Sequence, residues 1–226
     1  MAFYTPAFNL ERWKMMLPDP EKRWEGGGSA RLLARAWANA KDVPAKVRET
    51  FDRSGIDQLR QLEVLLKMPE HPVVLDDPND PAMNDLFVLA RSETSLFTIT
   101  VTGKRGEPFG PSVGQWAAGE SRENRVRVLM KWLGLQNREA LGPVSCELLH
   151  RAASAVAEAK RYHAGRAMML VHAFGTDGAS FGAYAKFLEL FGLKAEQNAV
   201  HGLPDPIDGI TLYLAWVHDD GPDSVN

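Results

Sequence analysis

A single cysteine, Cys146, stands in 226 residues. One thiol cannot close an intramolecular disulfide, and it leaves no CxxC pair for a zinc site. Long apolar runs are missing too. Stretches such as Ala167–Val171 and Tyr213–Val217 fall far short of the ~20 residues that span a bilayer. Cationic excess is also absent: Lys and Arg number 26 against 29 Asp and Glu, for a net charge of −3 with neutral histidines. Sequence-independent coating of nucleic acid needs a large surplus of phosphate-neutralising cations, so that class is excluded. A local basic groove is not. Met1 to Leu17 holds Arg12 and Lys14 but no continuous apolar core, so no secretory leader is expected, and a cytoplasmic location is. Neither an internal repeat nor a low-complexity tract interrupts the chain.

What is present is ordinary globular composition, 45% apolar and 24% charged, at a length that fits one domain over residues 1–226. Its first ~55 residues read as a helical elaboration. Ser29 is a candidate N-cap for a helix carrying Leu32, Leu33, Ala36, Trp37 and Ala40 at helical spacing. Ile56–Met68 reads as a second helix, stopped by Pro69. The period then changes to two. His71–Leu75 is a short strand, Asp76–Asp80 an acidic turn, Asp85–Arg91 a strand, and Ser92–Thr94 a hairpin connection to Leu96–Lys104. In that last strand Phe97, Ile99 and Val101 face one side, with Thr98, Thr100, Thr102 and Lys104 on the other. Taken alone, the threonines suit the solvent face of a half-buried hairpin.

Helices follow at Ser121–Leu133 and Ser145–Tyr162, then a strand buried on both faces at Ala167–Phe174. A helix at Phe181–Phe191 and a strand at Ile210–Val217 come last, before a tail, Pro222 to Asn226, expected to fray. Short turns make consecutive strands antiparallel, and the crossover helix returns the next strand to the same sheet. The expected class is α/β, a mixed sheet flanked by helices with an αβββαβ core.

Asp85 opens one strand and Lys104 ends the next on its polar face. Cleaving a phosphodiester calls for a hard cation held by carboxylates and a nearby lysine to orient water or steady developing charge. The wider text adds to that pair. Asn84-Asp85-Leu86-Phe87, Thr102-Gly103-Lys104 and Glu107-Pro108-Phe109-Gly110-Pro111 resemble an uncharacterised bacterial family of PD-(D/E)XK-nuclease-like proteins. There the segments look like Asn-Asp-x-Phe and Glu-Gly-Lys followed by Glu-Pro-Phe-Gly-Pro. The runs from Leu149 to Val156 and from Met169 to His172 resemble it as well, so the likeness covers most of the chain.

The resemblance implies a restriction-endonuclease-like sandwich and a magnesium-dependent nuclease acting on DNA or RNA. Asp85, Lys104 and Glu107 are then the catalytic candidates, with Asp85, the Gly103 carbonyl, Glu107 and Glu158 as metal ligands. Thr102 departs from the motif. A neutral hydroxyl stands where the motif has a carboxylate, so the metal loses one of two anchors and catalysis is expected to be impaired. Glu107, just past a turn, and Glu158, on one helix stripe with His150 and Ser154, are the candidate replacements. The alternative is a non-catalytic module that binds nucleic acid or protein on the same fold.

Other features read more plainly. Arg122, Arg125, Arg127 and Lys131 form a helical cluster that could meet a phosphate backbone, although Glu120 and Glu123 interleave with it. His172 reads as a satisfied core histidine. The Gly26–Gly28 loop lacks a Walker lysine, and Ser180 lacks a GxSxG elbow. The charge sum hides an asymmetry: Glu70 to Asp85 contains no Lys or Arg, while Lys104 to Lys131 is net basic.

Overall fold

The computed structural model describes residues 9–24, 28–175 and 178–220. Gly26 and Gly27 of the glycine loop and the tail from Pro222 lie outside the described residues. Five helices come first: α1 (Leu10–Met16), α2 (Pro20–Trp24), α3 (Ser29–Ala38), α4 (Ala45–Arg53) and α5 (Asp57–Arg60). Three strands follow, β1 (Glu63–Val73), β2 (Ala82–Arg91) and β3 (Leu96–Lys104), then α6 (Val113–Trp116), α7 (Glu120–Leu133) and α8 (Cys146–Arg161). The chain closes with β4 (Arg166–Phe174), α9 (Gly178–Glu189), β5 (Ala199–Gly202) and β6 (Thr211–Asp219).

The six strands form one open mixed sheet in the order β1-β2-β3-β4-β6-β5. β1, β2 and β3 run antiparallel in turn, and α8 carries the chain over to β4, which lies parallel to β3. β6 is parallel to β4, and β5 is antiparallel to β6. Helices cover both faces. On one face Trp13, Leu33, Trp37 and Phe51 of the early helices pack against Leu86, Val88, Phe97 and Ile99. On the other, Leu129 of α7, Leu148 and Ala152 of α8 and Phe187 of α9 meet Met169, Val171 and Trp216.

Three sequence expectations are corrected. The helix over Ile56–Met68 exists only as the short α5, and from Glu63 the chain is strand. β2, buried nearly throughout, needs a partner along its length, and β1 supplies one from Glu63↔Arg91 to Val73↔Ala82. Pro69 and Pro72 mark an edge strand rather than a helix stop. The sheet ends at β1, where a missing N–H is tolerated. The second correction concerns β3, whose threonines face protein rather than water. Thr98 Oγ1 donates to the Ala155 carbonyl (2.8 Å) and Thr100 Oγ1 to the Arg151 carbonyl (2.9 Å), fastening β3 to α8. At the start of α3 the N-cap is Gly28, one residue before the expected Ser29.

His172 is the satisfied core histidine the sequence suggested. The Trp37 indole N–H donates to Nδ1 (3.1 Å), which leaves the proton on Nε2, facing Asp219 Oδ2 at 3.3 Å. Burial lowers its pKa, so it stays neutral. No helix among the described residues is long and apolar enough to cross a membrane.

Candidate functional site

The early helices do not close over the sheet completely. Between them and the adjoining ends of β1, β2, β3 and α8 lies a cavity of about 840 Å³. Asp85, Gly103, Lys104 and Glu107 line it, as the sequence grouped them, together with Glu70, Glu147 and Arg151. Gly103 sets the closeness of its roof. A Cβ there would stand 3.2 Å from Leu33 Cβ and from the Ser29 carbonyl, so any larger residue would push the start of α3 a few tenths of an ångström away from β3.

Asp85 is held on three sides. Its Oδ2 accepts from Thr102 Oγ1 (2.8 Å) and from the Gly103 N–H (3.0 Å), while Arg151 Nη2 lies 3.2 Å from Oδ1. Lys104, almost wholly buried, pairs with Glu147 Oε1 at 3.0 Å and sits 4.5 Å above the Phe109 ring. Glu147 Oε2 accepts from the Gly110 N–H (3.0 Å). Gly110 in turn accepts from Ser145, the N-cap of α8. The Glu107–Pro111 segment thus braces Lys104 and Glu147 together.

Glu147 is the carboxylate that reasoning from sequence missed. It occupies the space beside Thr102, with Oε1 3.4 Å from the threonine hydroxyl, and Arg151 Nη2 is 4.0 Å from the same oxygen. A signal for it existed. Stepping back from Glu158 through Ser154 and Arg151 reaches Glu147 at i−4, i−7 and i−11, one continuous helix stripe.

Glu70 is the second omission. It sits opposite Asp85, between the pairs Pro69↔Leu86 and His71↔Asn84, with φ at +47. Non-glycine residues rarely occupy that region. Its side chain is 8% exposed, and its nearest cation is Arg23, Nη1 to Oε2, at 4.0 Å. Burial, then the negative charge of Asp85, pushes its carboxyl up to about 7.

A family model for a domain of unknown function, DUF6946, matches residues 6–221. The chain belongs to the DUF6946 family. No curated protein and no solved structure matches it.

In this DUF6946 chain the other expected site residues are dispersed. Glu158 is excluded from the cleft by its own partners, His71 Nε2 at 3.1 Å and Arg161 Nη1 at 3.4 Å. On α8 it lies 11 residues from Glu147, ~16 Å along the axis at the usual rise. Glu107 does line the cavity, but its carboxylate accepts from the Arg105 N–H (2.8 Å) and its carbonyl from Ser180 Oγ (2.7 Å). Ser180 is therefore a tie between α9 and this turn. Gly103 enters through its N–H to Asp85.

The basic helix also divides. Arg125 is buried, paired with Asp76 and Asp80 and donating to His150 Nε2 (3.3 Å), so it clasps the acidic turn and is not free for phosphate. Burial correspondingly lowers the His150 pKa, which keeps its ring neutral against that guanidinium. Arg122 folds over Trp116, Arg127 bonds Asn124, and Lys131 is exposed. These four do not line the cleft.

The expected magnesium ion does not fit the donors as they stand. Among the described residues, no group of three or more His, Cys, Asp or Glu is placed to hold a metal. The two carboxylates that meet at Thr102 already face cations, Arg151 for Asp85 and Lys104 for Glu147. Magnesium requires near-octahedral oxygen ligands, whereas this constellation is a closed network of alternating fixed charges.

Proposed function

We propose that this DUF6946 chain is a PD-(D/E)XK-nuclease-like protein, on a restriction-endonuclease-like sandwich, that binds nucleic acid in its cleft without hydrolysing it. Support for the ancestry comes from the order of elements, a helix, three antiparallel strands, a crossover helix and a parallel strand, with Asp85 and Lys104 on adjacent strands. The observation that carries the loss of hydrolysis is Arg151. Its guanidinium stands 3.2 Å from Asp85 and 4.0 Å from Glu147, a permanent cation between the carboxylates that a metal would need.

Such a network suits binding. Lys104 and Arg151 are pre-oriented by their carboxylates, and Lys22 and Arg23 add charge at the rim of the cavity. A phosphate entering the cleft meets cations whose side-chain entropy has already been lost, which lowers the cost of binding. Lys104 then contacts a phosphate oxygen rather than activating water.

One observation favours hydrolysis instead. Glu147 reaches the Thr102 hydroxyl from a different element and so restores a carboxylate pair with Asp85. The test is DNA and RNA cleavage with magnesium or manganese by the wild type, Lys104→Ala, Thr102→Glu and Asp85→Asn, with binding measured in parallel. The expected wild type binds oligonucleotides and leaves them intact, and Lys104→Ala weakens binding. Cleavage that appears only in Thr102→Glu marks a lapsed nuclease. Magnesium-dependent cleavage by the wild type that disappears in Asp85→Asn overturns the proposal in favour of a working enzyme.

A further inference from the structure

The cleft holds groups that want opposite things from a ligand. It presents cations and the start of α3, a ten-residue helix whose N-cap, Gly28, offers no side-chain cap to the first-turn amides. Gly28, Ser29 and Ala30 all line the cavity, and a helix start of this kind favours an anion. Among these groups, 4.0 Å from Arg23, is Glu70. Its side chain is 92% buried yet lines the same cavity, and among the described residues no hydrogen bond reaches its carboxyl. Asp85, directly across the strands, has three donors, while Glu70 has only the distant Arg23.

The Glu70 oxygens still reach the solvent of the cavity, yet a carboxylate so largely buried and without a hydrogen-bond donor carries a desolvation cost. The backbone adds a further cost by holding Glu70 at φ +47 inside a strand, a conformation that persists only where the surroundings impose it. Both costs fall on one residue that lines the cleft. The complementary ligand therefore carries an anion for the cations and, next to it, a neutral hydroxyl donor for Glu70. A second anion there is disfavoured by Glu70 and Asp85 together.

In a nucleic acid the group that meets this description is the ribose 2′-hydroxyl, on the carbon adjacent to the one that bears the 3′-phosphate. DNA lacks it. We propose that the cleft selects RNA over DNA, with Glu70 accepting a hydrogen bond from a ribose 2′-hydroxyl while Lys104, Arg151 and the start of α3 hold the neighbouring phosphate. This deepens the nucleic-acid reading of the same cleft and rests on it.

The test measures the affinity of the full chain for three single-stranded oligonucleotides of one sequence, ribo, deoxyribo and 2′-O-methyl, in magnesium-free buffer. The ribo form is expected to bind about tenfold tighter than the deoxyribo form, the usual consequence of leaving one buried acceptor unpaired. The 2′-O-methyl form, which has no donor, loses that advantage. In Glu70→Ala the ribo and deoxyribo affinities become equal, and Glu70→Gln, which keeps a carbonyl acceptor, retains most of the preference. Equal affinities for all three oligonucleotides in the wild type overturn this inference and leave the nucleic-acid reading standing. A preference that survives Glu70→Ala removes Glu70 from it. Absence of binding to any of the three overturns both.

Discussion

Glu70 couples the cleft to pH through stability. Its folded pKa, about 7, stands above the usual 4.5 because burial and then Asp85 disfavour the charged form, and Arg23 and Arg151 only partly offset them. An acid with a raised folded pKa favours the native state while protonated. Its contribution is complete below pH 4.5 and is lost as pH rises through about 7. The span of about 2.5 pH units sets an upper bound of about 3 kcal/mol, which solvent in the cavity that Glu70 lines lowers by screening. Glu70→Gln removes the titration. Urea unfolding of wild type and variant should therefore run close together at pH 4, with the variant ahead by up to about 3 kcal/mol at pH 8. Curves that stay parallel across that range would rule out a raised Glu70 pKa.

The contact between β3 and α8 explains why part of the structure could be read from sequence and part could not. Period two in Leu96–Lys104 and an apolar run in Ala167–Phe174 gave both central strands, because alternation and burial are written locally. The β1 strand was hidden: Leu62, Val64, Leu65 and Leu66 fit a helix as well as a strand, and only the need of β2 for an edge partner decides. Asp85 and Lys104 were legible because each is a charge flanking an apolar strand run, although the strand that Asp85 was expected to open starts three residues earlier, at Ala82. Glu147 lay on a legible helix stripe, but nothing local joined that stripe to Lys104, its partner 43 residues away. The threonines were misread for a related reason, as their acceptors are α8 carbonyls that no pattern within β3 announces. Those carbonyls also lie within a helix, so Thr100→Val, nearly isosteric, strands no buried acceptor. It should cost only the net value of one hydrogen bond, about 1 kcal/mol in thermal or chemical unfolding. A loss several times larger would mean that the hydroxyl organises more than this one contact.

At the scale of the whole molecule, a net charge of −3 has to be reconciled with a cleft for phosphate, and the placement of charge does this. Arg125, the most buried arginine of the basic helix, serves the acidic turn, Arg138 is held by both oxygens of Glu123, and Lys160 serves Asp208. Much of the positive charge is thus spent within the fold, while Lys22, Arg23, Lys104 and Arg151 are gathered at one cavity on the sheet, interleaved there with the carboxylates of Asp19, Glu70, Asp85, Glu107 and Glu147. A surface of this kind contacts few phosphates. For single strands the logarithm of affinity falls with the logarithm of salt by about 0.7 per phosphate neutralised. Four cations at most, three of them already paired with carboxylates, place the slope between about −1 and −3. Binding isotherms of one oligonucleotide from 50 to 400 mM salt measure it directly. Lys22→Ala should flatten the slope by less than about 1 unit, because that rim lysine shares the field with Arg23. A slope steeper than about −5 would require phosphate contacts well beyond the cleft and would move the binding surface to the exposed residues of α7, where Arg127 and Lys131 lie.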